Sequence, residues 1–291
     1  MFSARLHERV TALDTRVCLG IDPRPQYHSG DAEAVTNYFE RLLEATHELL
    51  ACCKPQSAFF EALGMHGNEA LRRVIAKARS LGVPVLLDAK RGDIDSTAAA
   101  YATAYLGHGP LAADALTING YLGMDSLEPF LDAASANGRG VFVLLKTSNP
   151  GSSDIQDLEL ARGVRLYQHL AGLLNARAAS LPVDAHGYTA LGVVVGATHA
   201  AHIAELRRAV PSSVMLIPGY GAQGGSASDV AAAFDEQGLG AVISASRALT
   251  YPQAHTDLVP DAATLAAART ATLAMRDDVN LALAKRAPTP R

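Results

Sequence analysis

Residues 83–97 read VPVLLDAKRGDIDST, an apolar run that ends abruptly in a cluster of charges. The apolar part is typical of a strand that is covered on both faces. Asp88 and Lys90 lie two residues apart, so on a strand both side chains point to the same face. Gly92 permits a sharp turn that can bring Asp93 close to them. Because charges massed at the end of a buried strand are costly unless they are used, this stretch indicates an active site.

Seven further apolar runs of strand length are spread along the chain. With residues 83–90, the predicted strands are residues 17–22, 51–55, 113–118, 140–146, 190–196, 213–219 and 240–246. Between them, apolar residues recur at three- and four-residue spacing, which predicts helices. The predicted helices cover residues 35–50, 67–81, 95–107, 123–137, 157–178, 199–210, 225–237 and 259–284. We expect Asp95 or Ser96 to cap the third of these helices.

The order of these elements predicts the fold class. Strands that alternate with helices pair in parallel through right-handed crossovers. Eight such units in 291 residues fit an α/β protein with a (β/α)8 TIM barrel, and a doubly wound open sheet is the alternative. We expect a single domain over residues 1–285 and a disordered tail over residues 286–291.

The composition favours a cytoplasmic protein that binds neither nucleic acid nor membrane. Charged residues make up 19% of the chain and the formal net charge is −4, so no overall basic surface is expected. No apolar run is long enough to span a bilayer, and residues 1–16 lack the apolar core of a signal peptide. Three cysteines without a CxxC pair favour a reducing compartment, and we expect Cys52 and Cys53 to be core residues.

Polar side chains and glycines follow seven of the eight predicted strands at their carboxyl ends. They are Asp22, Lys54, Gln56, Asp88, Lys90, Thr117, Asn119, Lys146, Thr147, Ser148 and Arg247, with the turn at 218–225. In a barrel all of these ends meet at one rim, which is where barrel enzymes hold their catalytic groups. The connection 147–156 leaves the same rim and could be a lid, whereas 180–189 lies on the opposite face and is predicted to be a structural loop.

Two parts of this rim suggest a definite chemistry. Residues 218–225, PGYGAQGG, form a glycine-rich turn before a helix, and Arg247 can add a charged fork, so we expect a phosphate site there. A lysine held between two carboxylates stays protonated, which makes Lys90 a poor Schiff-base nucleophile but a good proton donor. A purely structural Asp-Lys-Asp ion network is the alternative.

Three segments together resemble one known family. DAKRGDI (88–94), KTSNPGS (146–152) and PGYGAQGG (218–225), with Lys54 and Arg247, closely resemble the orotidine 5′-phosphate decarboxylases in their longer bacterial form. The resemblance implies a TIM-barrel homodimer with shared active sites and with neither a cofactor nor a metal. It also implies conversion of orotidine 5′-phosphate to uridine 5′-phosphate and carbon dioxide, the last step of de novo UMP synthesis.

The resemblance also implies roles for individual residues. Lys90 would be the proton donor, Asp88 would sit beside the scissile carboxylate, and Asp93 would come from the neighbouring subunit. The implied binding residues are Ile94 and Thr97 across the subunit interface, Ser148 at the pyrimidine, and Gly221, Gln223 and Arg247 at the phosphate. Asp22 and Lys54 would hold the ribose hydroxyls and orient the Lys-Asp array, which makes Lys54 a member of the catalytic group.

Three other functions remain open at this point. A related barrel enzyme could act on sugar phosphates with Mg²⁺ and the same DxKxxD array, or a Schiff-base aldolase could use Lys146 or Lys90. A non-catalytic barrel could bind a phosphate ligand without turning it over. His199 and His202 share a predicted helix face, but nothing nearby completes a metal site, so we expect them to be surface residues.

Overall fold

The computed structural model describes residues 1–28, 30–197, 200–221, 225–252 and 261–286. Its strands β1 to β8 are Val17–Ile21, Cys52–Pro55, Leu86–Arg91, Ala115–Ile118, Gly140–Lys146, Leu191–Val195, Met215–Pro218 and Ala241–Ala245. Each strand lies within its predicted run, except that β3 continues by one residue to Arg91. The continuous apolar character of the runs is explained by burial, since β1, β2, β4, β6 and β8 are buried at every position.

The eight strands form one parallel sheet that curls into a barrel. Its order is β2-β1-β8-β7-β6-β5-β4-β3, so β2 and β3 are the two edges. Those edges meet through two parallel bridges, Cys53 with Val85 and Gln56 with Asp88. The TIM barrel is therefore confirmed, and the open sheet is wrong because its edge strands would not meet.

Helices follow the strands on the outside of the barrel. Helices α1 to α12 are Phe2–Leu13, Pro25–His28, Ala32–Thr46, Ser57–Glu61, Gly64–Ser80, Asp95–Leu106, Glu128–Asn137, Leu166–Ala178, Ala200–Ala209, Ala227–Val230, Arg247–Thr250 and Ala262–Ala284. Short 3-10 turns lie at His47–Leu49, Asp125–Leu127, Pro150–Asp154, Ala161–Gly163 and Ala231–Ala233. None of the helices in the described part of the chain has the length and hydropathy needed to cross a membrane.

Three of the helix predictions need correction. The helix predicted over 157–178 begins only at Leu166, because Arg162 and Gly163 adopt left-handed φ angles of 69° and 75°. The helix predicted over 225–237 is short, because the Asp235 carboxylate accepts N–H bonds from residues 237 and 239 and forms a turn. The N-cap of α6 is Ile94 without a side-chain bond, so the predicted cap at Asp95 or Ser96 is wrong.

The amino-terminal end of the barrel is closed by α1, an element that the sequence reading missed. Phe2, Leu6 and Val10 of α1 are buried and join the cluster that fills the barrel interior, which includes Cys52 and Phe142. The rings of Phe2 and Phe142 meet edge to face, with centroids 5.8 Å apart. A larger cluster lies between the strands and the outer helices.

The remaining predictions on the fold are settled for the described residues. Cys52 faces the barrel interior and Cys53 faces the helix layer, and both are fully buried core residues as predicted. The loop 180–189 lies at the closed end, where Asp184 Oδ2 is 2.9 Å from His7 Nδ1 of α1. Apart from Arg286, the predicted tail 286–291 lies outside the described residues.

Candidate active site

The carboxylate of Asp88, on β3, is the centre of the polar rim. Its Oδ2 accepts hydrogen bonds from Lys54 Nζ at 2.8 Å and from Gln56 Nε2 at 3.0 Å. Its Oδ1 accepts from Lys90 Nζ at 2.6 Å and from Thr117 Oγ1 at 2.9 Å. Four donors from β2, β3, β4 and the residue after β2 therefore hold this carboxylate in one orientation.

Burial and charge act in opposite directions on this group. Burial alone would raise the pKa of Asp88, but the charges of Lys54 and Lys90 outweigh it and hold the pKa well below its ordinary value. Burial alone would likewise lower the pKa of Lys54, but the carboxylates of Asp88 and Asp22 outweigh it and raise that pKa. Asp88 and Lys54 therefore form a buried pair that is ionised at neutral pH.

Lys90 is the member of the cluster that a ligand can reach. Its side chain is 44% exposed to solvent, compared with 10% for Asp88 and 8% for Lys54. Its backbone has a left-handed φ of 49°, which is uncommon for a residue that is not glycine. The predicted meeting of Asp88 and Lys90 is confirmed, but it occurs on an irregular strand end and not on a regular strand.

Asp93, Ile94 and Thr97 do not belong to the active-site cluster of their own chain. Asp93 Oδ1 accepts from the Ile94 N–H at 2.8 Å, and Lys90 forms its ion pair with Asp88. Within the described residues, no ion pair joins Asp93 to Lys90, and the predicted closeness of Asp93 to the cluster stays a prediction. Ile94 is 53% exposed and Thr97 is also exposed, so neither side chain is buried within its own chain.

The segment after β5, predicted as a lid, is tied down at both ends. Lys146 is 4% exposed, and its Nζ lies 2.9 Å from Asp157 Oδ2 and 5.6 Å from the centre of the Tyr167 ring. The Thr147 N–H donates to Gln156 Oε1 at 2.9 Å, and Gln156 Nε2 donates back to Thr147 Oγ1 at 2.8 Å. Lys146 is thus ion-paired with Asp157 beneath the loop, and a carboxylate partner favours the charged form of an amine, which does not suit a Schiff-base nucleophile.

Ser148 is brought to the rim by a close approach between β5 and β6. A Cβ added to Gly196 would lie 2.8 Å from Ser148 Cβ and 2.9 Å from Ser148 N. Only glycine leaves room for the loop at this point. Ser148 itself is half-buried, next to the anchored Thr147.

The opposite side of the rim holds the predicted phosphate residues. Gly219 and Gly221 have φ angles of 100° and 70°, and the Gly221 N–H donates to the Gly225 carbonyl at 3.0 Å. Arg247 is exposed at the start of α11, directly after β8. Gln223 lies outside the described residues, so its predicted contact with phosphate stays a prediction.

Two buried polar atoms at this side of the rim have no partner among the described residues. They are Asp22 Oδ1, after β1, and Ser246 Oγ, after β8. The two strand ends are close, since a Cβ on Gly20 would lie 2.7 Å from Ser246 Cβ. Because buried polar atoms are normally paired, these two fit the hydroxyls or oxygens of a polar ligand.

Sequence reasoning missed part of the network around the site. Gln56 and Thr117 were visible as polar residues at strand ends, but nothing in the sequence showed that both would bond to Asp88. The Tyr251 hydroxyl donates to the Asp22 carbonyl at 2.9 Å and lies 2.7 Å from His28 Nε2. No sequence signal marked this pair, because its members are 223 residues apart.

The histidines form no metal site in the described part of the chain. No three His, Cys, Asp or Glu side chains group there in a way that could hold a metal ion. His202 is half-buried beside Tyr167, with ring centroids 5.6 Å apart, so it is a surface residue that is partly covered by this ring. His199 lies outside the described residues.

Comparison with known proteins gives one consistent result. Residues 15–255 match the model of the orotidine 5′-phosphate decarboxylase / HUMPS family. A relative from Deinococcus radiodurans named orotidine 5′-phosphate decarboxylase is 44% identical over 97% of this chain and 98% of its own length. One of the same name from Roseiflexus sp. (strain RS-1) is 45% identical over 93% of this chain and 94% of its own.

Solved structures agree with the sequence matches. The structure of Leishmania donovani OMP decarboxylase superposes with a TM-score of 0.79 at 35% identity, covering 98% of this chain and 99% of that one. A putative orotidine 5′-phosphate decarboxylase from Streptomyces avermitilis superposes with a TM-score of 0.83 at 33% identity, covering 97% and 96% of the two chains.

Proposed function

Since the chain belongs to the orotidine 5′-phosphate decarboxylase / HUMPS family, we propose that it converts orotidine 5′-phosphate to uridine 5′-phosphate and carbon dioxide, with Lys90 as the proton donor. This reaction is the last step of UMP biosynthesis. The observation that carries the residue assignment is the Lys90 ammonium, which is held 2.6 Å from a buried carboxylate and is still open to a ligand.

The chemistry requires a fixed cation at this position. When the bond between C6 and the carboxylate breaks, its electron pair stays on C6, in the plane of the ring and outside the π-system. Such a carbanion is stabilised only by electrostatic groups that are already in place. The Lys90 ammonium supplies that charge and then transfers a proton to C6, which leaves a neutral amine.

Asp88 contributes by its place beside the substrate carboxylate. Two charges ~4 Å apart at an effective dielectric of ~20 repel by about 4 kcal/mol, and this repulsion disappears as carbon dioxide leaves. Lys54 and Lys90 neutralise part of the Asp88 charge, so the repulsion is smaller than this figure. Enzymatic accelerations need ~8–23 kcal/mol. The remainder comes from Lys90 and from the binding energy of the phosphate and ribose.

The binding residues follow from the two sides of the rim. We assign Asp22 and Lys54 to the ribose hydroxyls, which is supported by the unpartnered Asp22 Oδ1. Ser148 would contact the pyrimidine. Gly221, Gln223 and Arg247 would hold the phosphate, supported for Gly221 and Arg247 by their places after β7 and β8.

A second copy of the chain would complete the site. Eight of the twelve exposed large apolar side chains among the described residues lie between β2 and β5 or between β5 and α8, namely Met65, Ile94, Tyr121, Leu122, Ile155, Leu158, Leu160 and Val164. A concentration of this kind is typical of an interaction surface. Docking a second copy there would place Asp93, Ile94 and Thr97 of each chain near the other's Lys90, as a homodimer with shared sites.

The compartment is the remaining proposal. Cys18, Cys52 and Cys53 are free thiols buried in the structure. Free thiols are the usual state in a reducing environment, which supports the cytoplasm.

A single assay tests the reaction. The absorbance of orotidine 5′-phosphate should fall on addition of the purified protein, at the same rate with and without EDTA. Loss of turnover in EDTA would favour the Mg²⁺-dependent sugar-phosphate barrel. Covalent trapping by borohydride would favour the Schiff-base aldolase. Binding of UMP without release of carbon dioxide would favour a non-catalytic barrel.

A further inference from the structure

The pairing of β3 with β4 is interrupted beside the active site. Leu87 pairs with Leu116 and Arg91 pairs with Ile118, so β3 advances four residues while β4 advances two. Two extra residues of β3 therefore lie opposite Thr117. Such a bulge removes backbone N–H groups from the ladder, and buried N–H groups without a partner are costly.

The side-chain hydroxyl of Thr117 takes the place of the missing backbone partner. Its Oγ1 accepts the N–H of Ala89 at 3.0 Å and the N–H of Lys90 at 2.9 Å. The same hydroxyl donates its proton to Asp88 Oδ1 at 2.9 Å. Thr117 is fully buried, so water cannot replace these bonds.

We propose that Thr117 is a positioning residue that fixes Lys90 at both ends, an inference that rests on the proposed function. Its hydroxyl holds the Lys90 N–H, where the backbone adopts the left-handed φ of 49°. It also orients the carboxylate oxygen of Asp88 that holds Lys90 Nζ. One buried hydroxyl thus sets both the start and the end of the side chain that delivers the proton.

Substitutions that keep the shape of Thr117 test this role. Thr117→Val removes the hydroxyl and keeps the branched side chain, and we expect kcat to fall by about 100-fold, as for a small misplacement of a catalytic group. KM and the affinity for UMP should not change, because the residues assigned to phosphate and ribose are untouched. Thr117→Ser retains the hydroxyl and should restore kcat.

Thr15→Val is the matched control. Thr15 is also fully buried, and its Oγ1 donates to the Leu49 carbonyl at 2.6 Å and accepts from the Val17 N–H at 3.3 Å, at the closed end of the barrel. The Thr15→Val variant should lose thermal stability, as the Thr117→Val variant does, but its kcat should be unchanged. Full kcat in Thr117→Val, or an equal loss in Thr117→Ser, would overturn the inference.

A crystal structure of Thr117→Val keeps this test separate from the proposed function. We expect Lys90 to leave its left-handed conformation and its Nζ to move away from Asp88 Oδ1. An unchanged Lys90 would overturn the inference whatever the activity. A wild-type protein that does not decarboxylate orotidine 5′-phosphate would overturn the proposed function, and the displacement of Lys90 would still decide the role of Thr117.

Discussion

At the scale of single residues, Lys90 and Asp88 differ in their exposure to solvent. Asp88 is buried and accepts hydrogen bonds from four donors, so its orientation is fixed. Lys90 is partly exposed, so a ligand can contact it. A charged group that is both fixed and accessible is rare on a protein surface, because exposed lysine side chains lose entropy when they are held. The buried Lys54–Asp88 pair provides the fixed support.

Replacement of Lys90 tests its assigned role directly. Lys90→Ala should lower kcat by about 1000-fold or more, since it removes both the proton donor and the charge that stabilises the carbanion. UMP binding, measured by calorimetry, should persist. Lys77→Ala, which removes a lysine paired with Glu44 on the outer helices, is the control and should leave kcat unchanged. Near-normal turnover in Lys90→Ala would refute the assignment.

The ionised Lys54–Asp88 pair predicts a pH dependence of stability. The pKa of Asp88 is depressed from its ordinary value of 3.8, so its contribution is complete above that pH and is lost as pH falls below it. The pKa of Lys54 is raised from 10.5, so its contribution is complete below that pH and is lost as pH rises above it. We expect a plateau in the free energy of unfolding between these limits.

Asp88→Asn should lower that plateau by about 3–5 kcal/mol, because a buried ammonium loses its counterion. Urea unfolding followed from about pH 6 down to about pH 2, which extends below the ordinary carboxylate pKa, should show a weaker acid-dependent loss in the variant than in the wild type. If both proteins lose stability equally on acidification, the pair is not the source of the effect.

The contact between Asp88 and Lys90 could be predicted from the sequence, but the structure around it could not. The two-residue spacing predicts that both side chains lie on the same face of the strand, and their hydrogen bond confirms that they meet. The bulge that carries Lys90 could not be predicted, because it depends on the register between β3 and β4. In the proposed dimer, the position of Asp93 relative to Lys90 depends on a second chain, so a single sequence gives it only through resemblance.

At the scale of elements, the loop after β5 packs closely against Gly196, the residue after β6, where there is no room for a side chain. Gly196→Ala would place a methyl group within 2.9 Å of Ser148 N and push the loop outward. We expect KM for orotidine 5′-phosphate to rise about tenfold, the equivalent of one lost hydrogen bond. Steady-state kinetics would measure it.

Gly172→Ala is the control for that substitution. A Cβ at Gly172, on α8, would meet no other heavy atom within 4 Å, leaving aside the backbone of its own helix. The change should leave KM unaltered and stabilise the helix by about 0.5–1 kcal/mol. An unchanged KM in Gly196→Ala would show that Ser148 does not depend on this approach.

The secondary structure was predicted correctly where strands and helices alternate regularly, and incorrectly where the chain departs from that alternation. The eight strands were found because each is a continuous apolar run between helical patterns. Helix α1 precedes the first βα unit and was missed, although Phe2, Leu6 and Val10 recur at four-residue spacing. The start of α8 was placed too early, because the glycine turn at 162–163 lies within an otherwise helical pattern.

At the scale of the whole molecule, the proposed homodimer with shared sites predicts complementation between two inactive variants. Lys90→Ala and Asp93→Ala should each be nearly inactive alone. In a mixed dimer, one site carries both defects and the other carries none. Random exchange of subunits should therefore restore about a quarter of the wild-type sites. Sedimentation should show a dimer, and absence of any recovered activity after exchange would argue against sites built from two chains.

The helix that closes the amino-terminal end of the barrel has a consequence for product departure. Phe2, Leu6 and Val10 are buried in the cluster that fills the barrel interior below the rim, and we infer that this packing closes the amino-terminal end to a departing molecule. Carbon dioxide must then escape by the same opening that admits the nucleotide. Both products would then depart through the rim that carries Ser148.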